Sequence, residues 1–408
     1  MRGLDIPERT EDFSADPVEL FFDLAYVFAF SQLVSLLLGD PTWDGIGDAS
    51  LIFLLLWLPW SQFTWSANAV PGNQRSVRIL FLVATAASVP MAASVTTALG
   101  DGGALFAVPL AIIFLTALGM MVIGLDRDSA EFGSAIRYAG PNIVAMAIIV
   151  VGGFVGESAR ITLWIVGIAI FLLATIRAGN GSWIIRSGHF AERHGLIIII
   201  AMGEVIVALG NSVVKELDDG LDGVASGGVI ALAAAGTFAG LLFWSYFDRV
   251  GPAFEHRSER LPAAERGRFA RDVYTYIHAP IVAGVLLTAV GFEEMALHPD
   301  EPTPDAFRFM AAAGLALFFG GIAAGVHRSF GEVAKERLVA VAAVVVLMAV
   351  GTDLHGVWLI VLIDVIVFLT LVVEHLRIEG RPSTRGSVDD AGVVDHAAEQ
   401  PLEQPPAG

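Results

Sequence analysis

Residues 356–376 read GVWLIVLIDVIVFLTLVVEHL, an apolar run broken near its middle by one carboxylate, Asp364. A helix rises about 1.5 Å per residue, so about 20 such residues cross the roughly 30 Å hydrocarbon layer of a bilayer. Windows of about 19 residues find the same pattern repeatedly along the chain. The other runs lie at 17–38, 47–69, 76–98, 102–124, 134–155, 159–177, 193–213, 224–247, 272–292, 306–327 and 337–353. Only Asp353, Leu354 and His355 separate the last two spans. The pattern predicts an all-α polytopic transmembrane helical bundle of about 12 spans.

Composition agrees. The 408 residues are 55% hydrophobic and only 16% charged. A water-soluble chain carries nearer about 25% charge, so these apolar side chains need lipid as their solvent. The net charge of −18 argues against a nucleic-acid partner and reflects short acidic loops and an acidic tail. The absence of cysteine removes disulfides, thiolate metal sites and cysteine nucleophiles. No basic start followed by a small-residue cleavage site precedes residue 17, so no cleavable signal peptide is expected.

The basic residues supply an independent test of topology. With both termini cytoplasmic in a bacterial cytoplasmic membrane, only Arg160, Lys215 and Arg308 of the 24 Lys and Arg fall outside. Misplacing one span would reverse every later loop, so this bias supports an even span count and the orientation together. Span two ends in Trp60-Ser61-Gln62-Phe63 and span eight in Trp244-Ser245-Tyr246-Phe247. Two readings are open. Residues 17–178 and 179–378 are two six-helix halves in a parallel repeat, or aromatic interface belts arose without duplication. Residues 1–16 form a cytoplasmic N-terminal segment, and 379–408, without apolar periodicity, read as a disordered cytoplasmic tail. The pairs Gly236/Gly240 and Gly321/Gly325 have a spacing that lets helices approach closely.

Ionisable residues inside spans carry the functional signal, because each costs about 2.5–3.5 kcal/mol at the bilayer centre. Glu204 follows Arg193 by a helical distance of about 16 Å, which places it near mid-membrane. Arg193, Glu204 and Asn211 share one stripe, and Asp364 shares another with His375. For Glu204 and Asp364 the alternative is a protonated carboxyl that serves packing alone. Asp16-Pro17-Val18-Glu19 is a capping-box pattern, which accounts for Glu19 structurally. Asp23, one turn deeper, needs a partner from another helix, and Arg78 at the start of span three is the expected one. In span nine, Arg271, Tyr274 and His278 fall on one face with Tyr276 turned away. His278 reads either as a titrating group or as a hydrogen-bond tether, and Pro280 predicts a kink that frees backbone carbonyls. Arg193 and His194 belong to a charged segment, 189–194, that also suits an interfacial, dipole-matched helix start. Asp23, Glu204, Tyr246, Asp248, Tyr274 and His278 are expected to line one inward-opening cavity.

These residues also carry a resemblance. Val18-Glu19-Leu20-Phe21-Phe22-Asp23-Leu24, Ala191-Glu192-Arg193-His194-Gly195-Leu196 with Gly203-Glu204, and Trp244-Ser245-Tyr246-Phe247-Asp248-Arg249 are similar to segments of the bacterial low temperature requirement A (LtrA) family. Tyr274, Tyr276, His278, Pro280, Gly291 and Glu293 fit it too, while Ala25-Tyr26 stands where larger residues are commoner. The resemblance implies an integral membrane protein linked by name to growth in the cold. It supplies no substrate or reaction.

The first functional expectation is a secondary transporter coupled to protons or cations. It rests on span number, a duplication and midplane carboxylates. The alternatives are a membrane-embedded enzyme acting on lipid or isoprenoid at the inner leaflet, or a non-catalytic sensor whose basic loop 249–271 meets anionic lipid or a partner. In the enzyme reading Asp23, Asp248 and His278 serve as acid, base or metal ligands, although no familiar ligand spacing is present. No Gly-rich phosphate loop follows a strand pattern, and no cofactor is called for. The expected partners are the bilayer and a small solute or proton, with homo-oligomerisation left open.

Overall fold

The computed structural model describes residues 15–70, 74–178, 181–218 and 226–379. The tail after 379, most of the N-terminal segment, and the side chains of Asn211 and Lys215 lie outside the described residues. Each apolar run is a helix. In chain order these are α1 (Pro17–Gly39), α2 (Trp43–Ala67), α3 (Arg75–Ala93), α4 (Gly103–Ile123), α5 (Ala130–Gly153), α6 (Glu157–Ala178) and α7 (Ser187–Asp218). There follow α8 (Ser226–Phe247), α9 (Val250–Arg260), α10 (Ala263–Ala270), a π-helical segment (Arg271–Ile277), α11 (His278–Leu297), α12 (Asp305–Phe330), α13 (Lys335–Val350) and α14 (Gly356–Glu379). No strand occurs among the described residues.

Among the described residues, ten helical rods are long and apolar enough to cross a membrane. In that set α8 and α9 run as one rod, and so do α10, the π segment and α11. The two spans that fall short do so for different reasons. α13 has 16 residues, about 24 Å of helix, and the part of α7 whose side chains are described carries Glu192, Arg193 and Glu204. Side chains such as Leu24, Val339 and Phe368 are more than half exposed on the outside of the bundle, as lipid-facing positions are. The chain is a multi-pass helical membrane protein.

Local signals explain how the elements begin and bend. At the start of α1, Asp16 accepts from the Val18 amide at 3.1 Å and the Glu19 carboxylate accepts from the Asp16 amide at 3.2 Å, with Pro17 in the first turn. The π segment has a wider turn than an α-helix and ends shortly before Pro280, which has no amide hydrogen to give. The Thr275 carbonyl accepts instead from the Trp57 indole at 2.8 Å. One backbone carbonyl before Pro280 is therefore free for a side chain, and the π segment changes the helical phase. Arg271 turns to Asp272 at 2.8 Å and to the Ile176 carbonyl, and it lies over the Tyr276 ring. The expected face of Arg271, Tyr274 and His278 is thus corrected, because it assumed 3.6 residues per turn.

Packing is closest where glycine removes side chains. On the α11–α12 interface a Cβ on Gly284 would lie 2.5 Å from the Gly314 carbonyl oxygen. A Cβ on Gly321 would meet Ile281, and one on Gly325 would meet Phe254, whereas Gly236 and Gly240 face open space. The helices α1, α7 and α11 each pack against the other two. Most arginines gather at the end of the bundle where α1 and α7 begin. Arg160 sits at the other end, its guanidinium ringed by the carbonyls of Ala98, Leu99, Gly100, Gly152 and Val155.

Candidate functional site

Four ionisable side chains meet in the protein interior at the arginine-rich end. Glu19 and Asp23 are one turn apart on α1, and His189 and Arg193 are one turn apart on α7, so two short rows face each other. All four are at most 2% exposed. Arg193 grips Asp23 with both terminal nitrogens, Nη1 to Oδ2 at 2.8 Å and Nη2 to Oδ1 at 3.0 Å. Its Nε lies 3.6 Å from Glu19 Oε2, and His189 Nε2 lies 3.0 Å from the same oxygen. The Trp60 indole on α2 donates to Asp23 Oδ1 at 3.0 Å. Two carboxylates therefore face one guanidinium. One excess negative charge remains until His189 or a carboxyl takes a proton.

A second buried string adjoins the first through Trp60, whose ring meets His194 edge-on at 5.2 Å. The His194 and His278 rings are 5.1 Å apart, and Tyr274 lies beside both, at 5.0 and 5.2 Å. His278 Nδ1 is 2.8 Å from the Val273 carbonyl. A carbonyl only accepts, so Nδ1 carries the hydrogen and Nε2 accepts from the Tyr246 hydroxyl at 2.7 Å. The same logic puts a hydrogen on His194 Nδ1, which donates to the Phe190 carbonyl at 2.8 Å. His194 Nε2 and the Tyr274 hydroxyl are buried without hydrogen-bond partners among the described residues. Side chains from α2, α7, α8, the π segment and α11 thus form one run of buried ring contacts, in which Tyr246 and His278 are hydrogen-bonded.

A profile of the Bacterial low temperature requirement A protein family matches residues 14–373. The chain belongs to the LtrA family. It is also similar to the uncharacterized protein RA0937 of Rhizobium meliloti (strain 1021), 27% identical over 324 residues that make up 77% of each chain. No solved structure matches. Every member of both buried strings lies within the stretch that matches the LtrA profile.

Several sequence-based expectations for this LtrA chain need correction. Arg78 does not reach Asp23. It is half exposed at the first turn of α3 and pairs with Asp16 at 3.2 Å, because its position on α3 points outward. Asp248 follows the end of α8, is 39% exposed and pairs with Arg249, so it stands apart from the buried cluster. Glu204 is buried further along α7, where its Oε2 accepts from Ser31 of α1 at 2.5 Å. Asp364 on α14 is buried too, its Oδ1 without a hydrogen-bond partner among the described residues, and His375 from its stripe pairs with Arg249. The polar residues therefore fall into separate places and do not line one cavity. The interfacial reading of 189–194 holds only for Glu192, which is exposed and accepts from the Ala15 amide at 2.7 Å.

Sequence reasoning passed over three contributors. His189 precedes Arg193 by one turn, as Glu19 precedes Asp23, so periodicity held the signal. Trp60 opens one of the aromatic tetrapeptides, whereas its counterpart Trp244 is 61% exposed. Thr275 gave no sign, because its role depends on the π segment. It lines two cavities. One, of about 390 Å³, lies between α1, α2 and α11, with walls such as Leu33, Phe53, Trp57, Pro280 and Leu286. The other, of about 30 Å³, is lined by Ser61, Gln62, Trp65, Tyr138, Thr175 and Arg271 among others. At their junction the Thr275 hydroxyl accepts from Trp65 at 2.9 Å and from Ser61 at 3.2 Å.

Proposed function

We propose that this LtrA-family protein is a secondary transporter in the bacterial cytoplasmic membrane, coupled to protons or another cation and carrying a small solute. In this reading the arginine-rich end, with both termini, faces the cytoplasm. The observation that carries the proposal is the buried Glu19–His189–Arg193–Asp23 cluster. An ionic group of this kind is costly inside a membrane protein, and replacing it by apolar packing is often neutral or stabilising. Its odd count of charges makes it a natural place to load and release one proton. Protonation would loosen the hold of α1 on α7.

The cavities on either side of Thr275 support the same reading. The larger reaches from the far ends of α1 and α2 to the π segment, and the smaller continues from Thr275 towards Arg271. A π segment at such a junction is a common functional device, because its wider turn can tighten at small cost. The membrane-enzyme alternative is weakened by geometry, since Asp248 is exposed and paired elsewhere and does not share a site with Asp23.

The test is proton flux in liposomes that contain a pH-sensitive dye, with an imposed gradient and a panel of solutes. Wild-type protein should move protons with one class of solute, and Asp23→Asn should abolish the coupled flux. Asp248→Asn, at the surface, should retain it. Undiminished proton flux in both Asp23→Asn and Glu204→Gln, each shown to be folded by size-exclusion chromatography, would refute the coupling assignment.

A further inference from the structure

A cleft of about 550 Å³ between α5 and α6, which shares Tyr138 with the smaller cavity, combines a cationic mouth with an apolar trough. Arg137, Arg177 and Ser134 lie at the mouth, and Pro141, Ile170 and Leu173 line the deeper part. Arg137 is exposed two turns inside α5, about 10 Å from the first residue of that span. From about this depth a long arginine side chain reaches back to the level of the lipid headgroups. Neither Arg137 nor Arg177 makes an ion pair among the described residues, and Arg137 donates only to Ser134 Oγ at 3.2 Å. Elsewhere at this end, Arg78, Arg249, Arg271, Arg328, Arg337 and Arg377 each have a carboxylate. Pro141 cannot bond the carbonyl of Arg137 one turn earlier, which opens the helix surface beside the cleft.

We propose that this cleft binds an anionic phospholipid, with Arg137 and Arg177 bridging its phosphate and an acyl chain lying in the α5–α6 trough. Guanidinium forks match phosphate oxygens in geometry as well as charge. Pro141 and Ile170 lie about 16 and 12 Å from the helix ends at this face, so the trough follows the chain into the hydrocarbon layer. A free phosphate would use the mouth alone. The chain makes the membrane lipid the occupant.

The experiment is native mass spectrometry of the purified full-length protein with equimolar phosphatidylglycerol and phosphatidylcholine. Two arginines near the surface predict a preference of roughly 30-fold for the anionic lipid. Arg137→Gln with Arg177→Gln should remove it, and the equally charge-reducing Arg257→Gln with Arg260→Gln on α9 should leave it intact. Ile170→Trp, which fills the trough with both arginines present, should weaken retention. Displacement of the lipid by millimolar inorganic phosphate would overturn the proposal in favour of a free-anion site. Equal retention of both lipids would overturn it too, as would loss of preference in the α9 pair alone.

Discussion

Arg193→Met tests whether the buried cluster holds the bundle together. Arg193 is wholly buried and is gripped at 2.8 and 3.0 Å by Asp23, with Glu19 at 3.6 Å. Removing one partner of such a pair leaves an uncompensated charge in a medium that cannot solvate it, at a cost of about 3–5 kcal/mol. That is more than about a hundredfold in the folded-to-unfolded ratio. The control is Arg78→Met. Arg78 pairs with Asp16 at 3.2 Å but is half exposed, so its loss should cost about 1 kcal/mol or less. Denaturant titration in lipid nanodiscs, followed by tryptophan fluorescence, measures both. Adding Glu19→Gln and Asp23→Asn to Arg193→Met should restore most of the stability, since the orphaned charges then disappear. Equal losses for Arg193→Met and Arg78→Met, or no recovery in the triple variant, would refute the reasoning.

Two further outcomes follow from the packing. Trp60→Phe keeps the ring beside His194 but deletes the donor to Asp23, and hydrogen bonds to charged groups contribute about 1.5–3 kcal/mol, so the same titration should show a loss in that range. Gly314→Val should prevent accumulation of folded protein in the membrane, because a Cβ there would lie 2.6 Å from the Thr288 amide nitrogen. Gly240→Val, at an open position, should accumulate normally. Detergent-solubilised yield and size-exclusion profile decide between the two.

The spans were legible in the sequence because the bilayer imposes a length on any apolar helix, whatever its neighbours. Glu204 and Asp364 were legible as buried carboxylates for the same reason, since their depth follows from position along one helix. The partner of Asp23 was not. Arg78 and Arg193 each lie in the first two turns of a helix at the same end of the bundle, and nothing local distinguishes the one that faces α1. Glu19 shows a related gap. Its capping role was readable within four residues, but its contact with His189 crosses from α1 to α7. Tyr274 and His278 did share a face as expected, while Arg271 left it because the π segment changed the phase.

Length, hydropathy and the spacing of arginines thus determined by themselves that this chain is a membrane-spanning helical bundle, and which ionisable residues lie within its spans. These properties depend on single helices in a uniform solvent. Only the tertiary structure decided that Glu19, Asp23, His189 and Arg193 form one cluster, that Trp60 joins it to the histidine string, and that Arg78 and Asp248 stand outside. Those choices depend on which helix faces meet, and that is set by close packing between segments far apart in sequence.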